Sequence, residues 1–265
     1  MCTNCGCPAS GQQHHDHSHS HSHSHEHGHS HGRDHHHHGT LEENPHLSSA
    51  KTLEVMSSLL DQNNRYAMVN RKRFDQHGIT AINLMGSPGS GKTSLLEATG
   101  TFPQIRLGVI EGDLETSQDA QRLQAIGIPA YQITTGTACH LDAHMVGHGM
   151  DHIPLHELDY VVVENVGNLV CPANFELGTH ANVVLLSVPE GHDKITKYPV
   201  IYRYADIIII TKVDLLPHFD FSLDRVRHDL SHINPGATLL TLSTKDPQSV
   251  QNWLATLQNL RQKEG

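Results

Sequence analysis

Several things are scarce in this sequence, and each scarcity excludes a class of function. Lysine and arginine total 18 against 28 acidic residues, a formal charge of −10 with histidine neutral. No basic excess marks a nucleic-acid binder. No apolar run approaches the roughly 18 residues of a spanning helix, so membrane insertion is not expected. The N-terminus lacks the apolar stretch of a secretory signal. Cysteine is limited to Cys2, Cys5, Cys7, Cys139 and Cys171. An odd count with three at one end is no disulfide framework. Reduced thiols in a cytoplasmic setting are the expectation.

Histidine, by contrast, is abundant. From His14 to His38 nearly every other residue is histidine, with Ser, Gly, Asp and Glu between. Such a stretch cannot bury apolar surface and is expected to be disordered. Neutral imidazole binds nickel, copper and zinc, so the tract reads as a loose, unselective store. The Cys2–Cys5–Cys7 cluster is chemically different. Thiolates bind soft and borderline ions tightly, and Gly6 permits a sharp turn between them. With Met1 removed, the Cys2 amine is a candidate fourth donor. A zinc site or a redox-sensitive terminus uses the same residues. Residues 1–45 therefore read as a metal-binding tail. Residues 46–265 leave about 220 residues, enough for one well-cored domain.

That domain opens with a helical pattern from Asn44 to about Gln76, with Leu53, Met56, Leu60 and Ala67 as a partial apolar stripe. A short apolar run, 79–85, leads into "GSPGSGKTSLLEA". This is G-x-x-x-x-G-K-[ST]. Gly86, Gly89, Ser90, Gly91 and Ser94 complete a loop whose backbone N–H groups cradle phosphates. Lys92 would reach the β and γ phosphates, and Thr93 would bind Mg²⁺. Apolar runs at 105–113, 129–135, 158–168, 181–190, 204–214 and 236–244 then alternate with loop or helix. The expected fold is α/β, a mostly parallel sheet flanked by helices, with ligands at the strands' carboxyl ends.

Two strand ends point to guanine. "TKVD" resembles N-K-x-D, with Thr211 in place of Asn. Asp214 can accept from guanine N1–H and N2–H₂ while Lys212 lies along the base. "STK", Ser243, Thr244 and Lys245, resembles a second guanine loop. Asp113 and Glu164 are candidate Mg²⁺ carboxylates. The Gly167 N–H is placed to sense a γ-phosphate. Cys139 and His140 are expected to begin a helix at a strand's carboxyl end. Cys171 follows Glu164 by seven positions. Two thiolates and an imidazole are a zinc or nickel donor set, although a lone buried cysteine more often simply packs.

Over essentially its whole length the chain resembles the HypB family, nickel-incorporation GTPases of [NiFe] hydrogenase maturation. The resemblance rests on "CTNCGC", the histidine tract, "GSPGSGKTSLLE", "IEGD", "TGTACHLDA", "VENVGNLVCPA", "EGHDKITKYP" and "TKVDLL". It implies a dimeric P-loop GTPase of the SIMIBI class. Its high-affinity nickel site would map to Cys2, Cys5 and Cys7. A nucleotide-linked nickel or zinc site at the dimer interface would map to Cys139, His140 and Cys171. Implied partners are a HypA-type nickel chaperone, the hydrogenase large subunit and a second copy, joined with GTP and metal. A urease-type nickel GTPase and a non-enzymatic nickel or zinc store are the alternatives.

Overall fold

In a computed structural model, the backbone is described for residues 50–113 and 118–264. The histidine tract and Cys2, Cys5 and Cys7, with the metal binding expected of them, lie outside these residues. Seven strands, β1 (Thr80–Gly86), β2 (Leu107–Asp113), β3 (Ala130–Thr134), β4 (Tyr160–Glu164), β5 (Ala181–Ser187), β6 (Ile207–Thr211) and β7 (Thr238–Leu242), form one sheet. Its order is β3-β2-β4-β1-β5-β6-β7. All six strand pairings are parallel. The helices are α1 (Ala50–Gln76), α2 (Lys92–Gly100), α3 (Gln118–Ala125), α4 (Ala143–Met150), α5 (Lys194–Lys197), α6 (Pro199–Arg203), α7 (Leu223–Ile233) and α8 (Pro247–Glu264). Among the described residues, no helix is long and apolar enough to cross a membrane.

The central strands read as unbroken apolar runs because both of their faces are covered. Ile82, Leu84, Val162 and Leu185 join Leu95, Leu96, Trp253 and Leu257 on one face. On the other, Ala81, Val161 and Val163 meet Phe74, Val146 and Met150. Farther along that face Met85, Val184 and Ile208 meet Ile201, Tyr202 and Val226. Consecutive strand residues point to opposite faces, so each strand feeds two cores at once. Trp253 also donates its indole N–H to Thr99 Oγ1 at 3.0 Å, which satisfies the polar end of a buried ring.

The stripe of α1 is only partly apolar because asparagines interrupt it. Ala67 and Phe74 are buried, and so are Asn63 and Asn70. Leu60 is half-buried, while the side chains of Leu53 and Met56 lie outside those described. Asn63 accepts from the Ala143 N–H at 2.9 Å and donates to the Glu176 carbonyl at 2.8 Å. Asn70 donates to the Ala143 carbonyl at 2.7 Å and the Leu177 carbonyl at 3.1 Å. These bonds pin α1 to the start of α4 and to the segment after Cys171. Asn70→Ala leaves two buried carbonyls without their donor. We expect a loss of roughly 1–3 kcal/mol, measured by denaturant unfolding.

Candidate functional site

The loop after β1 tightens into the N-terminus of α2 through Gly91, whose φ is 98°. That left-handed conformation needs glycine, and it turns the loop's N–H groups toward one cleft. A cavity of about 530 Å³ opens there, walled by Gly89, Lys92, Thr93, Glu111, Asp113, Asp119, Arg122, Glu164 and Gly167, among others. Lys92 is buried and reaches across the loop to the Ser87 carbonyl at 3.4 Å. The single hydroxyl of Thr93 faces two carboxylates, Glu164 Oε1 at 3.0 Å and Asp119 Oδ2 at 3.2 Å. Among the described residues, Glu164 Oε2 is buried without a hydrogen-bond partner, and so is Glu111 Oε2.

Burial, opposed by Lys92 and the Thr93 hydrogen bond, lifts Glu164 to about 7. Burial lifts Glu111 to about 8, with further contributions from the charges of Glu164, Asp119 and Asp113. Asp119 and Arg122 were not singled out from sequence. Both lie on α3, and Arg122 binds Asp119 at 2.7 Å and Glu97 at 2.8 Å. An acidic residue in the first turn of the helix after β2 was their one available signal.

A second cavity of about 240 Å³ adjoins the first and shares Gly91, Ser94 and Lys212 with it. Asp214, Thr244 and Lys245 also line it. Asp214 is held by the Ser243 hydroxyl and the Lys245 ammonium, each at 2.8 Å, and these bonds depress its carboxyl below the usual range. Thr211, the departure from N-K-x-D, donates to the Ser90 carbonyl at 2.6 Å, and Lys212 donates to the Gly89 carbonyl at 2.7 Å. Both tie the end of β6 to the phosphate loop. Ser90 itself is fully buried beneath that loop.

Cys139, His140 and Cys171 do come together, with their ligand atoms all within 4.8 Å of one another. The expectation that Cys139 and His140 begin a helix is corrected. They lie in the loop between β3 and α4, and α4 starts at Ala143 with Asp142 as its cap. The cap is Asp142 because its carboxylate accepts from the Met145 N–H at 2.8 Å. Cys171 opens a 3-10 turn, Cys171–Asn174, and is buried. The two sulfurs face each other in direct contact. His140 stacks on Phe175 at 3.9 Å. Burial lowers its pKa and favours the neutral imidazole that ligates metals.

Phosphate cleft and thiol pair are joined through the segment after β4. The Asn165 carboxamide oxygen accepts from Leu141 N–H at 3.1 Å, and Asn168 donates to the Cys139 carbonyl at 3.4 Å. Asn168 also pairs with Gly86. Gly167 packs so closely on Pro88 that an added Cβ would lie 2.8 Å from its ring.

Residues 80–241 match the family model of the CobW/HypB/UreG nucleotide-binding domain. The chain is 46% identical to the hydrogenase/urease maturation factor HypB of Helicobacter hepaticus, over 79% of this chain and 88% of the relative. It is 44% identical to the hydrogenase maturation factor HypB of Azotobacter vinelandii, over 82% and 72%. A crystal structure of HypB from Helicobacter pylori in complex with nickel superposes with a TM-score of 0.75 at 41% identity, covering 76% of this chain and 96% of that one. HypB from Archaeoglobus fulgidus gives 0.71 at 37% identity, covering 76% and 100%.

The raised carboxyls set a pH dependence. Glu111 moves from an ordinary 4.5 to about 8, so between those values the folded chain keeps a proton that the unfolded chain has released. Its stabilising effect is complete below 4.5 and is lost as pH rises through 8. We expect the stability of the nucleotide-free protein to fall across this window. Glu111→Gln should remove about one proton's slope, roughly 1.4 kcal/mol per pH unit, in denaturant titrations at several pH values.

Proposed function

The chain belongs to the CobW/HypB/UreG family, on its HypB branch, and from that premise we propose that it is a slow GTPase that stores Ni²⁺ and delivers it to the large subunit of a [NiFe] hydrogenase, timed by GTP hydrolysis. One observation carries this reading: the hydrogen-bonded path from the phosphate loop through Asn165 and Asn168 to the loop of Cys139. A γ-phosphate received beside Gly167 acts on the same segment that leads to Cys171.

In this reading the loop from Gly86 to Ser94 and Lys92 hold the phosphates. Asp214 reads the guanine edge, steadied by Ser243 and Lys245, with Lys212 along the base and Thr244 beside it. The donor set fits Mg²⁺: a hydroxyl facing two carboxylates, with a buried carboxylate oxygen left over, suits a hard cation. Thr93 and Glu164 would hold it, together with Asp113, which lines the same cleft, and Asp119, the second carboxylate facing Thr93; when bound it supplies charge neutralisation of the phosphates. Cys2, Cys5 and Cys7 take nickel tightly and the histidine tract stores it. Cys139, His140 and Cys171 take nickel, or zinc, in step with the nucleotide. The chain works in the cytoplasm with a HypA-type chaperone and as a homodimer promoted by GTP and metal. A urease client is the second reading, favoured by the double name of the Helicobacter relative. Deletion strains assayed for hydrogenase and for urease separate the two.

Lys92→Ala removes the cation nearest the β and γ phosphates. GTP hydrolysis should fall by roughly 10²-fold or more while nickel binding by the tail is unchanged. Equal turnover would remove the enzyme reading.

Metal and nucleotide should also be coupled, by about 5–150-fold in affinity. Nickel is expected to promote dimerisation more with a non-hydrolysable GTP analogue than with GDP in analytical ultracentrifugation. Cys171→Ala should abolish that difference and leave GTP binding intact. An unchanged nickel response in the variant would sink the coupling.

A further inference from the structure

His140, His144, His148 and His152 recur at four-residue intervals. On a helix this spacing returns side chains to one side. His140 belongs to the thiol cluster, His144 and His148 lie on α4, and His152 follows it. The last two meet in space. Their Nε2 atoms are 3.5 Å apart and their rings 4.7 Å apart, and both residues are exposed. Tyr131 of β3 lies flat on His152, 4.1 Å away and 11° from parallel, which fixes the plane of that ring. The carboxylate of Asp151, next to His152, is engaged by Arg73 at 2.7 Å.

Two imidazole nitrogens on one ion, with bonds of about 2.0–2.1 Å, stand about 2.9 Å apart at a right angle and about 3.3 Å at the tetrahedral angle. The observed separation is within a small ring rotation of the latter. We propose that His148 and His152 form a bidentate surface site for a divalent ion of the nickel, copper and zinc class, distinct from the site of Cys139, His140 and Cys171. Imidazole suits these ions and not Mg²⁺ or Ca²⁺. Water completes the coordination, so the ion exchanges readily. The site stands on ring geometry. Its use as a landing place on the helix that begins just past His140 rests on the nickel reading above.

The test is carbethoxylation of the full-length protein by diethyl pyrocarbonate, followed residue by residue by peptide mass spectrometry during titration with NiCl₂. His156, an exposed ring beside Glu157, gives the baseline. Once free Ni²⁺ is about tenfold above the midpoint, modification of His148 and His152 should fall roughly tenfold, with one shared midpoint. His148→Ala should return His152 to the baseline, and His152→Ala should do the same for His148. His148→Gln repeats the first arm with a side chain that keeps helix and solubility. In Cys171→Ser the protection should persist. Equal rates with and without nickel would overturn the site, as would protection of His152 that survives His148→Ala. Loss of protection in Cys171→Ser would overturn it too, by tracing the effect to the thiol site. Failure of GTP-linked nickel release would leave every arm of this test unaffected.

Discussion

A file of three asparagine side chains, two of them buried, fixes the geometry on which both sites depend. Asn83 on β1 donates to Asn182 on β5 at 3.0 Å, and Asn165 beyond β4 donates to Asn83 at 3.2 Å. Asn165 then uses its oxygen to accept from the N–H groups of Leu141 and Val166, at 3.1 and 3.0 Å. Asn83 and Asn165 are almost wholly excluded from solvent. Carboxamides in such a place are costly unless satisfied, and satisfied ones admit few alternative arrangements. Three neighbouring strands and the loop carrying Cys139 and His140 are thereby set in one register. The Asn63 and Asn70 bonds of α1 brace the same loop from outside, together with the segment after Cys171. The candidate metal donors Cys139, His140 and Cys171 are on loops, but both loops are bound to the rigid part of the fold.

The phosphate cleft carries the opposite kind of constraint, an electrostatic demand left open. Glu111, Asp113, Asp119 and Glu164 converge on it, and two of them are lifted toward or above neutrality. Lys92, Arg122 and Lys212 do not balance four carboxyl groups, and Arg122 is already shared with Glu97. Protons supply part of the missing positive charge in the nucleotide-free chain. On the proposed reading, a cation entering with phosphate ligands would take their place, and protons would leave as it binds. Stability, protonation and nucleotide loading would then be linked through one group of side chains.

The fold was readable because its signals are local. Apolar runs covered on both faces announce buried parallel strands, and the phosphate loop is contiguous in sequence. The eight residues of "GSPGSGKT" need no partner from elsewhere to be recognised. What escaped notice is tertiary. Asn63 and Asn70 look like breaks in an amphipathic stripe until their carbonyl partners, 73 to 113 positions away, are known. Asp119 and Asn165 are ordinary residues in sequence, and only folding brings them to Thr93 and Leu141. The sequence reading starts α4 at Cys139, four residues before its actual start at Ala143, because the capping side chain is that of Asp142.

The placement of the two sulfurs gives the proposed switch a mechanical form. They face each other from two different loops, so an ion held between them ties those loops together. The loop of Cys139 is bonded to Asn168 and, through Leu141, to Asn165. The turn of Cys171 hangs from the far end of the same short segment, just beyond Gly167 and Asn168. Gly167 already lies in contact with Pro88 of the phosphate loop, with no room for so much as a methyl group. On the proposed reading, then, a phosphate that displaces Gly167 and an ion that joins the two sulfurs act on one piece of backbone. Two ligands that share a coordinate cannot bind independently, and whichever nucleotide state better gathers the three donors must be the state that nickel in turn stabilises.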